Sequence, residues 1–332
     1  MIKVAMLSKW HVHAVDYLKQ LKAMDNVRVV AVWDEDKERG SKWAKEEGLD
    51  FEPDLDALLA GDRIDAVVVD APTNLHGKVM VAAANAGKHI FTEKVMALTV
   101  KECNEIADAV RKAGVKFCIS FPHRTMPHNL FAKKVADEKL IGDITLMRVR
   151  NAHAGAVDNW LPNHFYDPEA CGGGAMIDLG AHPMYLSRWI LGKPERITST
   201  FTNITGKAVE DNAVCVIEFE NQAIAIVETG FVTPSSPFAL ELYGTKGTLL
   251  IGGYNREVKM ITKEITSSVP GWIIPSKLPD PLPTPMQQWV KGIEEGTPID
   301  FGLEEGIQLT ELMEAAYKSY REKRQVRFDE LY

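Results

Sequence analysis

The chain has 332 residues, of which 45% are hydrophobic and 25% are charged, with 24 glycines. This composition is typical of one large or, as we expect, two globular domains, and it excludes disorder, collagen-like repeats and small disulfide-bonded scaffolds. The formal net charge of −8 provides no broad basic surface, so we expect neither nucleic acid nor a membrane as a partner.

The four cysteines stand at positions 103, 118, 171 and 215, with no C-x-x-C spacing. This pattern favours buried thiols in a reducing compartment over disulfides or a zinc site. The first residues form an apolar run too short for a signal sequence, and no other run approaches a membrane span. We therefore expect a cytoplasmic protein.

The first 121 residues alternate short β-branched runs with amphipathic helical patterns, as βαβ units do. The predicted strands are Lys3–Leu7, Val27–Trp33, Ala66–Val69, His89–Thr92 and Lys116–Ser120. The predicted helices are 15–23, 37–47, 76–86 and 101–113. Residues 1–121 are therefore predicted to form an α/β domain with a doubly wound parallel sheet, which the resemblance described below identifies as a dinucleotide-binding domain of the Rossmann type.

A different pattern begins at Pro122 and predicts a second domain over residues 122–332. Its strands alternate apolar and polar residues, which is typical of a sheet with one exposed face. The predicted strands are 143–150, 196–203, 213–219, 223–230, 238–243 and 247–251. Helices are predicted at 129–139, 175–190, 286–295 and 303–323, and the prolines from Pro270 to Pro285 predict an extended loop.

The turn after the first strand reads Ser8-Lys9-Trp10-His11-Val12-His13 and contains no glycine. A dinucleotide-binding turn normally carries G-x-G-x-x-G there, so that its backbone can approach the pyrophosphate. Downstream, Asp34 ends the second strand, where a carboxylate accepts hydrogen bonds from the ribose hydroxyls of NAD and repels the 2′-phosphate of NADP. A helix N-cap is an equally good account of Asp34.

The His11-x-His13 pair also resembles the metal-binding pair that opens metal-dependent hydrolase barrels. Such a barrel needs eight strand–helix repeats, whereas the second half of this chain is rich in strands. We therefore favour two polar loop histidines that face solvent or cofactor, and we expect no metal.

Two further groups of polar residues follow predicted strands, at the sheet edge where ligands bind. The first comprises Pro72, Thr73, Asn74 and His76, and capping of the next helix is compatible with a cofactor contact. The second is Glu93-Lys94, whose lysine is placed to hydrogen-bond a substrate oxygen. A surface ion pair is the alternative for the second group.

The segment Gly172–His182 is the most specific motif. Asp178 and His182 are four residues apart, so on a helix they share one face. Gly180 between them costs about 1 kcal/mol of helix stability relative to alanine, which indicates close packing at that turn. The alternative is an aspartate that caps the helix and a buried histidine.

Together these motifs resemble the family of NAD(P)-dependent oxidoreductases typified by glucose–fructose oxidoreductase and inositol dehydrogenase (Gfo/Idh/MocA). The resemblance covers nearly the whole chain. The matching segments are Ala71–Asn74 with His76, Ala86–His89 leading to Glu93-Lys94, Arg124 with Pro127 before Ile141–Ile144, Gly172–His182 and Tyr243–Gly247. Val95 stands where the family has proline, and the first loop lacks its glycines.

The resemblance implies a Rossmann domain followed by an α/β domain with an open, mostly antiparallel sheet that often mediates homodimers or homotetramers. It also implies that Lys94, Asp178 and His182 surround the substrate carbon that faces the nicotinamide. We expect Ser8, Lys9, Trp10 and His11 to contact the cofactor in place of the missing glycines. The loop residues His153 and Trp160, with Arg124, are the remaining candidates for substrate contacts.

The sequence therefore predicts an NAD-dependent dehydrogenase or reductase that acts on a hydroxyl of a sugar, polyol or related cyclic compound. NAD is expected rather than NADP, because neither arginine nor lysine directly follows Asp34. One alternative is an NAD-dependent glycoside-cleaving enzyme of the same family. The other is a regulator that senses NAD or a sugar and has lost turnover.

Overall fold

The structure, a computed structural model, describes residues 1–253, 257–263 and 271–332. The chain divides into two compact units. Unit one comprises Met1–Phe121 and Pro283–Thr310, and unit two comprises Pro122–Leu282 and Glu311–Tyr332. Among the described residues, none of the helices is both long enough and apolar enough to span a bilayer.

The strands of the described residues are numbered along the chain, and most begin and end within two residues of the sequence prediction. They are β1 (Ile2–Leu7), β2 (Val27–Trp33), β3 (Asp50–Phe51), β4 (Ala66–Val69), β5 (His89–Thr92), β6 (Phe117–Ile119), β7 (Ile144–Ala152), β8 (Pro194–Thr202), β9 (Asn212–Phe219), β10 (Ile224–Gly230), β11 (Ala239–Gly244), β12 (Gly247–Gly252), β13 (Glu257–Thr262) and β14 (Val326–Arg327). The sequence analysis missed β3, β13 and β14.

The helices are numbered in the same way. They are α1 (Ala14–Lys22), α2 (Lys37–Glu47), α3 (Leu55–Leu59), α4 (His76–Asn85), α5 (Val100–Ala113), α6 (Pro127–Asp137), α7 (Pro168–Cys171), α8 (Ala175–Asp178), α9 (Ala181–Leu191), α10 (Pro285–Glu295) and α11 (Leu303–Glu322). Residues 271–284 contain no helix, as their prolines predict, whereas Pro270 lies outside the described residues.

Unit one contains a six-stranded parallel sheet in the order β3-β2-β1-β4-β5-β6. The predicted doubly wound Rossmann sheet is confirmed. The strand order reverses between β1 and β4, and ligands of such sheets bind beyond the carboxyl ends of the strands at this switch point. Capping supports the connecting helices: Thr99 and Glu102 form a capping box on α5, which ends at Gly114 in the left-handed conformation.

Helix α10 packs with unit one, although the sequence predicted a second domain over all of residues 122–332. The helix starts with a capping box between Thr284 and Gln287. Its Trp289 is fully buried, and the ring centroid lies 5.7 Å from that of Phe91 in β5. The amphipathic pattern of α10 predicted a buried face, but periodicity alone does not show which sheet that face covers.

Unit two contains an eight-stranded sheet in the order β13-β12-β11-β7-β10-β9-β8-β14 within the described residues. Only the β7–β10 pair is parallel among its named strands, so the mostly antiparallel sheet is confirmed. Along β9, buried Ala213, Cys215 and Ile217 alternate with exposed Val214 and Val216. One face of the sheet is therefore covered and the other is exposed.

All four cysteines are free and buried, as their sequence context predicted. Burial raises the pKa of the Cys171 thiol to about 12 and that of the Cys215 thiol to about 12. Because the thiolate is the reactive form, these side chains are inert at neutral pH.

Replacing Trp289 with alanine is predicted to destabilise unit one by roughly 3–5 kcal/mol, because the substitution empties a fully buried site next to Phe91. The control is Trp272→Ala, which removes a ring that is 47% exposed and should change stability by about 0.5 kcal/mol or less. Denaturant unfolding measures both. Equal effects of the two substitutions would contradict the placement of α10.

Candidate active site

Ser8 makes the turn after β1 without glycine. Its φ is 80°, in the left-handed region that glycine usually occupies. The side chain is completely buried, its backbone N–H donates to Trp33, and its Oγ accepts from the Trp10 N–H at 3.0 Å. Ser8 thus closes the turn with its own hydroxyl.

Asp34 ends β2 with both carboxylate oxygens occupied. The backbone N–H groups of Lys9 and Asp36 each donate at 2.9 Å. The Arg39 guanidinium donates through Nε at 3.0 Å and through Nη2 at 2.5 Å, and it also pairs with Glu35. The sequence analysis noted that no cation directly follows Asp34, but Arg39 reaches back to it from the first turn of α2.

Lys9 extends along α2. Its Nζ lies 3.7 Å from the Glu46 carboxylate and 5.5 Å from the centroid of the Trp43 ring. His11 follows a different course, since its backbone N–H donates to the Asp70 carbonyl and its side chain is only 5% exposed. The charge of Lys9 therefore lies beside α2 rather than at the start of α1.

Glu93, at the end of β5, is the centre of a buried polar cluster. The Nδ1 atom of His13 lies 3.2 Å from its Oε2, and the Tyr17 hydroxyl contacts the same oxygen. His11 also belongs to the cluster, because potential ligand atoms of His11, His13 and Glu93 all lie within 4.8 Å of one another. Burial opposes ionisation, but His11 and His13 hold the pKa of Glu93 well below its usual value.

Lys94 is buried beside Glu93, with 3.9 Å between its Nζ and the Oε1 of Glu93. Both side chains are less than 4% exposed, so the alternative of a surface ion pair is wrong. The peptide between Lys94 and Val95 is cis. Lys94 therefore stands at the carboxyl end of β5 with a desolvated ammonium group.

Asp70 ends β4, and neither of its buried carboxylate oxygens has a hydrogen-bond partner. Burial, together with the charge of Glu93, raises its pKa well above the usual value. Pro72 follows and precedes a short 3-10 turn, Thr73–Leu75. No side chain caps α4, so Thr73 and Asn74 do not serve as its cap.

His76 connects two segments at this edge of the sheet. Its Nε2 lies 3.0 Å from the Ala71 carbonyl and its Nδ1 lies 2.9 Å from the Val95 carbonyl. Burial lowers the pKa of His76, which favours a neutral ring. The ring therefore ties the turn after β4 to the segment that follows Lys94.

The carboxyl edge of the parallel sheet fits a dinucleotide. The ends of β1, β4 and β5 bring polar residues together at the switch point of the strand order. The partnerless oxygens of Asp70 lie at this edge and require a donor or cation from elsewhere. The residues predicted to hold the cofactor are Ser8, Lys9, Trp10, His11, Asp34, Pro72, Thr73, Asn74, His76, Glu93 and Lys94.

In unit two, close packing explains the glycines of the 172–174 segment. A Cβ atom at Gly173 would overlap the Tyr317 hydroxyl, and one at Gly174 would overlap the Glu210 carbonyl. The Glu210 carboxylate accepts from the Gly174 N–H at 2.9 Å and from the Tyr317 hydroxyl at 2.6 Å. Sequence reasoning missed Glu210 and Tyr317, because they lie far along the chain and form no local motif.

The helix predicted over residues 175–190 is in fact two helices, α8 and α9. Asp178 is the last residue of α8, and His182 is the second residue of α9. The break occurs at Leu179 and Gly180, where a Cβ on Gly180 would overlap the Met176 backbone. The prediction failed because the i, i+4 spacing gave no sign of this backbone crowding.

His182 is held by two aromatic neighbours. Its Nδ1 lies 2.8 Å from the Tyr185 hydroxyl, which also accepts from the His123 N–H at 3.1 Å. The His123 ring stacks on the His182 ring, with 4.4 Å between centroids. Tyr185 stands three residues after His182, so helical spacing could have indicated it, whereas His123 had no sequence signal.

His123, one of the two stacked histidines, lines a cavity of about 580 Å³ in unit two, whereas His182 is not among the lining residues. His123 and Phe238 both line it, and their ring centroids are 5.1 Å apart. The remaining lining residues are Met126, His128, Ser235, Ser236, Pro237, Ile251, Gly252 and Gly253. A cavity of this size and mixed polarity suits a small organic ligand.

The other predicted substrate residues also belong to unit two. The guanidinium of Arg124 lies 5.0 Å from the Trp189 ring centroid, against α9. His153 stacks on Phe231 at 5.0 Å and contacts Trp160, whose side chain is 57% exposed. None of these three residues lines the cavity beside His123.

Two family profiles match the chain. Residues 11–121 match the oxidoreductase family profile described as an NAD-binding Rossmann fold, and residues 130–250 match the GFO/IDH/MocA C-terminal domain. The two matches fall in unit one and unit two, respectively.

Individual proteins are similar over most of the chain. The scyllo-inositol 2-dehydrogenase (NAD(+)) of Bacillus subtilis is 27% identical, covering 92% of this chain and 90% of its own. The D-xylose 1-dehydrogenase (NADP(+)) 2 of Haloferax volcanii is 26% identical, covering 87% and 88%. A levoglucosan dehydrogenase solved with NADH and levoglucosan shares the fold, with a TM-score of 0.84 at 21% identity, covering 98% of this chain and 99% of its own.

Proposed function

The chain belongs to the GFO/IDH/MocA family of oxidoreductases and carries its NAD-binding Rossmann domain, and on that basis we propose that it transfers hydride between NAD and a hydroxyl-bearing carbon of a sugar, polyol or related cyclic compound. The observation that carries the proposal is the His182–Tyr185–His123 arrangement, in which His123 lines a cavity of about 580 Å³. The relatives named as inositol and xylose dehydrogenases support this substrate class.

His182 is assigned the proton transfer. Its Nδ1 is engaged by the Tyr185 hydroxyl, so we assign exchange of the substrate hydroxyl proton to Nε2. A histidine that a hydrogen bond holds in position suits general acid–base work. Asp178, which ends α8, is assigned the orientation of the substrate or the imidazole.

Lys94 is assigned the stabilisation of the substrate oxygen. Its ammonium is buried and lies 3.9 Å from the Glu93 carboxylate, which keeps the positive charge in place. A fixed cation stabilises the negative charge that develops as the hydroxyl loses its proton. The bound nicotinamide supplies the hydride acceptor or donor.

A panel of inositols, aldoses and anhydrosugars with NAD tests the proposed activity through NADH absorbance and product analysis. Accumulation of NADH with a ketone or lactone product is expected. The glycoside-cleaving alternative would release an aglycone without net NADH. NAD binding without turnover of any candidate would favour the regulator.

Cofactor choice is predicted to depend on the Asp34–Arg39 pair. In the Asp34→Asn variant, Arg39 loses its buried counter-charge and becomes a partner for the 2′-phosphate of NADP. The ratio of the NADP dissociation constant to that of NAD should fall about tenfold, which corresponds to roughly 1.4 kcal/mol. Calorimetry with both nucleotides measures it.

The matched control is Asp54→Asn, at the aspartate of unit one that caps α3; Asp34 itself caps no helix, because Asp36 is the N-cap of α2. The control should leave the ratio unchanged, because asparagine caps a helix as well as aspartate does. An unchanged ratio in Asp34→Asn would show that the Asp34 carboxylate does not face the ribose.

His182→Ala and Lys94→Ala are each predicted to lower kcat by about 10²–10⁴, since each removes a positioned polar group from the reaction. NAD affinity should persist in His182→Ala, because His182 is not one of the proposed cofactor residues. Tyr185→Phe should lower kcat less and shift its pH profile, because the ring of His182 loses its Nδ1 partner. Steady-state kinetics over pH measures these effects.

The control is His89→Asn. His89 begins β5, at the opposite edge of the sheet from Glu93, so this variant should keep the wild-type kcat. Wild-type turnover by both His182→Ala and Lys94→Ala would refute the assignment.

Two expectations from the sequence remain proposals. We assign the expected homodimer or homotetramer to the exposed face of the unit-two sheet, which presents Val214, Val216 and Ile224. The second expectation is a cytoplasmic location, which the buried free thiols support.

A further inference from the structure

The turn after β1 and the end of β5 bring together two imidazoles and one carboxylate. Potential ligand atoms of His11, His13 and Glu93 lie within 4.8 Å of one another. Two histidines and a glutamate are the donor set of three-ligand zinc sites, which keep a fourth position for water or another ligand. Magnesium and calcium prefer all-oxygen sites, so this set favours a transition metal.

The distances are close to those that an ion imposes. A tetrahedral ion with bonds of about 2.0–2.1 Å holds its ligand atoms about 3.4 Å apart. His13 Nδ1 and Glu93 Oε2 are already 3.2 Å apart. The remaining separations, up to 4.8 Å, must shorten by at most about 1.4 Å for all three atoms to bind one ion.

The hydrogen bond at His11 is one that a metal ion can replace. The Nδ1 of His11 lies 3.3 Å from the backbone N–H of His13, which is longer than a typical N–H hydrogen bond and weak. A metal ion binds the neutral imidazole, so its binding releases any proton on the ring and substitutes the charge of the ion for that of the imidazolium beside Glu93.

A buried, unpartnered side chain provides the second, independent observation. Asp70 directly follows the neighbouring strand β4 and is completely buried, and neither of its carboxylate oxygens has a hydrogen-bond partner within the described residues. Buried polar groups normally have a partner, so this edge of the sheet calls for a ligand from outside the chain.

The cluster also offers a path by which an ion can enter and a hydrogen bond that orients its carboxylate. The side chain of His13 is 41% exposed and gives an ion a path from solvent. The Tyr17 hydroxyl donates to the Glu93 carboxylate and accepts from the Ser120 hydroxyl at 2.7 Å. Such outer hydrogen bonds fix a ligating carboxylate in one orientation.

We propose that His11, His13 and Glu93 bind one divalent transition-metal ion of the Zn²⁺ class, with a coordination position left for water or an anionic ligand. The six-stranded parallel sheet excludes the hydrolase barrel with which the His-x-His pair was compared, but the metal chemistry does not require that barrel. The proposal does not depend on the substrate class.

The test uses the full chain, freed of any affinity tag and treated with a chelator, and Co²⁺ as the probe. Calorimetry is expected to give one ion per chain, with visible absorption bands typical of four- or five-coordinate Co²⁺. His13→Ala and Glu93→Gln should each weaken binding about 10–100-fold. Zn²⁺ should displace the Co²⁺ and abolish the bands.

The control is His89→Asn, which alters a histidine at the other edge of the same sheet and should bind Co²⁺ like the wild type. Circular dichroism checks each fold, and the half-exposed His13 keeps the test decisive if Glu93→Gln does not fold. Absence of saturable binding to the wild type would overturn the proposal. Binding that persists in a folded His13→Ala variant at wild-type strength would overturn it as well.

Discussion

The parallel sheet of unit one is buried so completely that polar side chains concentrate where its central strands end. All four residues of β4 are buried, and the first residue after them is Asp70, whose carboxylate has no partner within the described structure. Glu93 and Lys94 follow β5 in the same way. Burial of the strands therefore places the ionisable groups at one edge and also desolvates them.

This desolvation shapes the chemistry available at that edge. Glu93 is kept ionised by His11 and His13, whereas the pKa of Asp70 is raised well above its usual value by burial and by the charge of Glu93. Lys94 remains beside Glu93 as a buried cation. A buried cation beside an ionised carboxylate therefore lies at the sheet edge that we propose as the cofactor site.

Local sequence patterns predicted the features that depend on residues close together in the chain, such as the bounds of the strands. Residue bounds of β2, β4 and β5 match the predictions, since each is a short apolar run between turn residues. The patterns could not show that Arg39 pairs with Asp34, because that ion pair depends on a side chain that reaches back from α2. Nor could they show that Tyr317 packs against Gly173, because these two residues lie far apart in the sequence.

The most direct test of the oxidoreductase account follows the hydride itself. The wild-type protein is incubated with NAD and with the best polyol or sugar substrate, carrying deuterium at the carbon to be oxidised, and the nicotinamide is analysed by mass spectrometry. The account predicts NADH that carries the substrate's deuterium, in amounts equal to the oxidised product. Product formation without deuterium in the cofactor would contradict it.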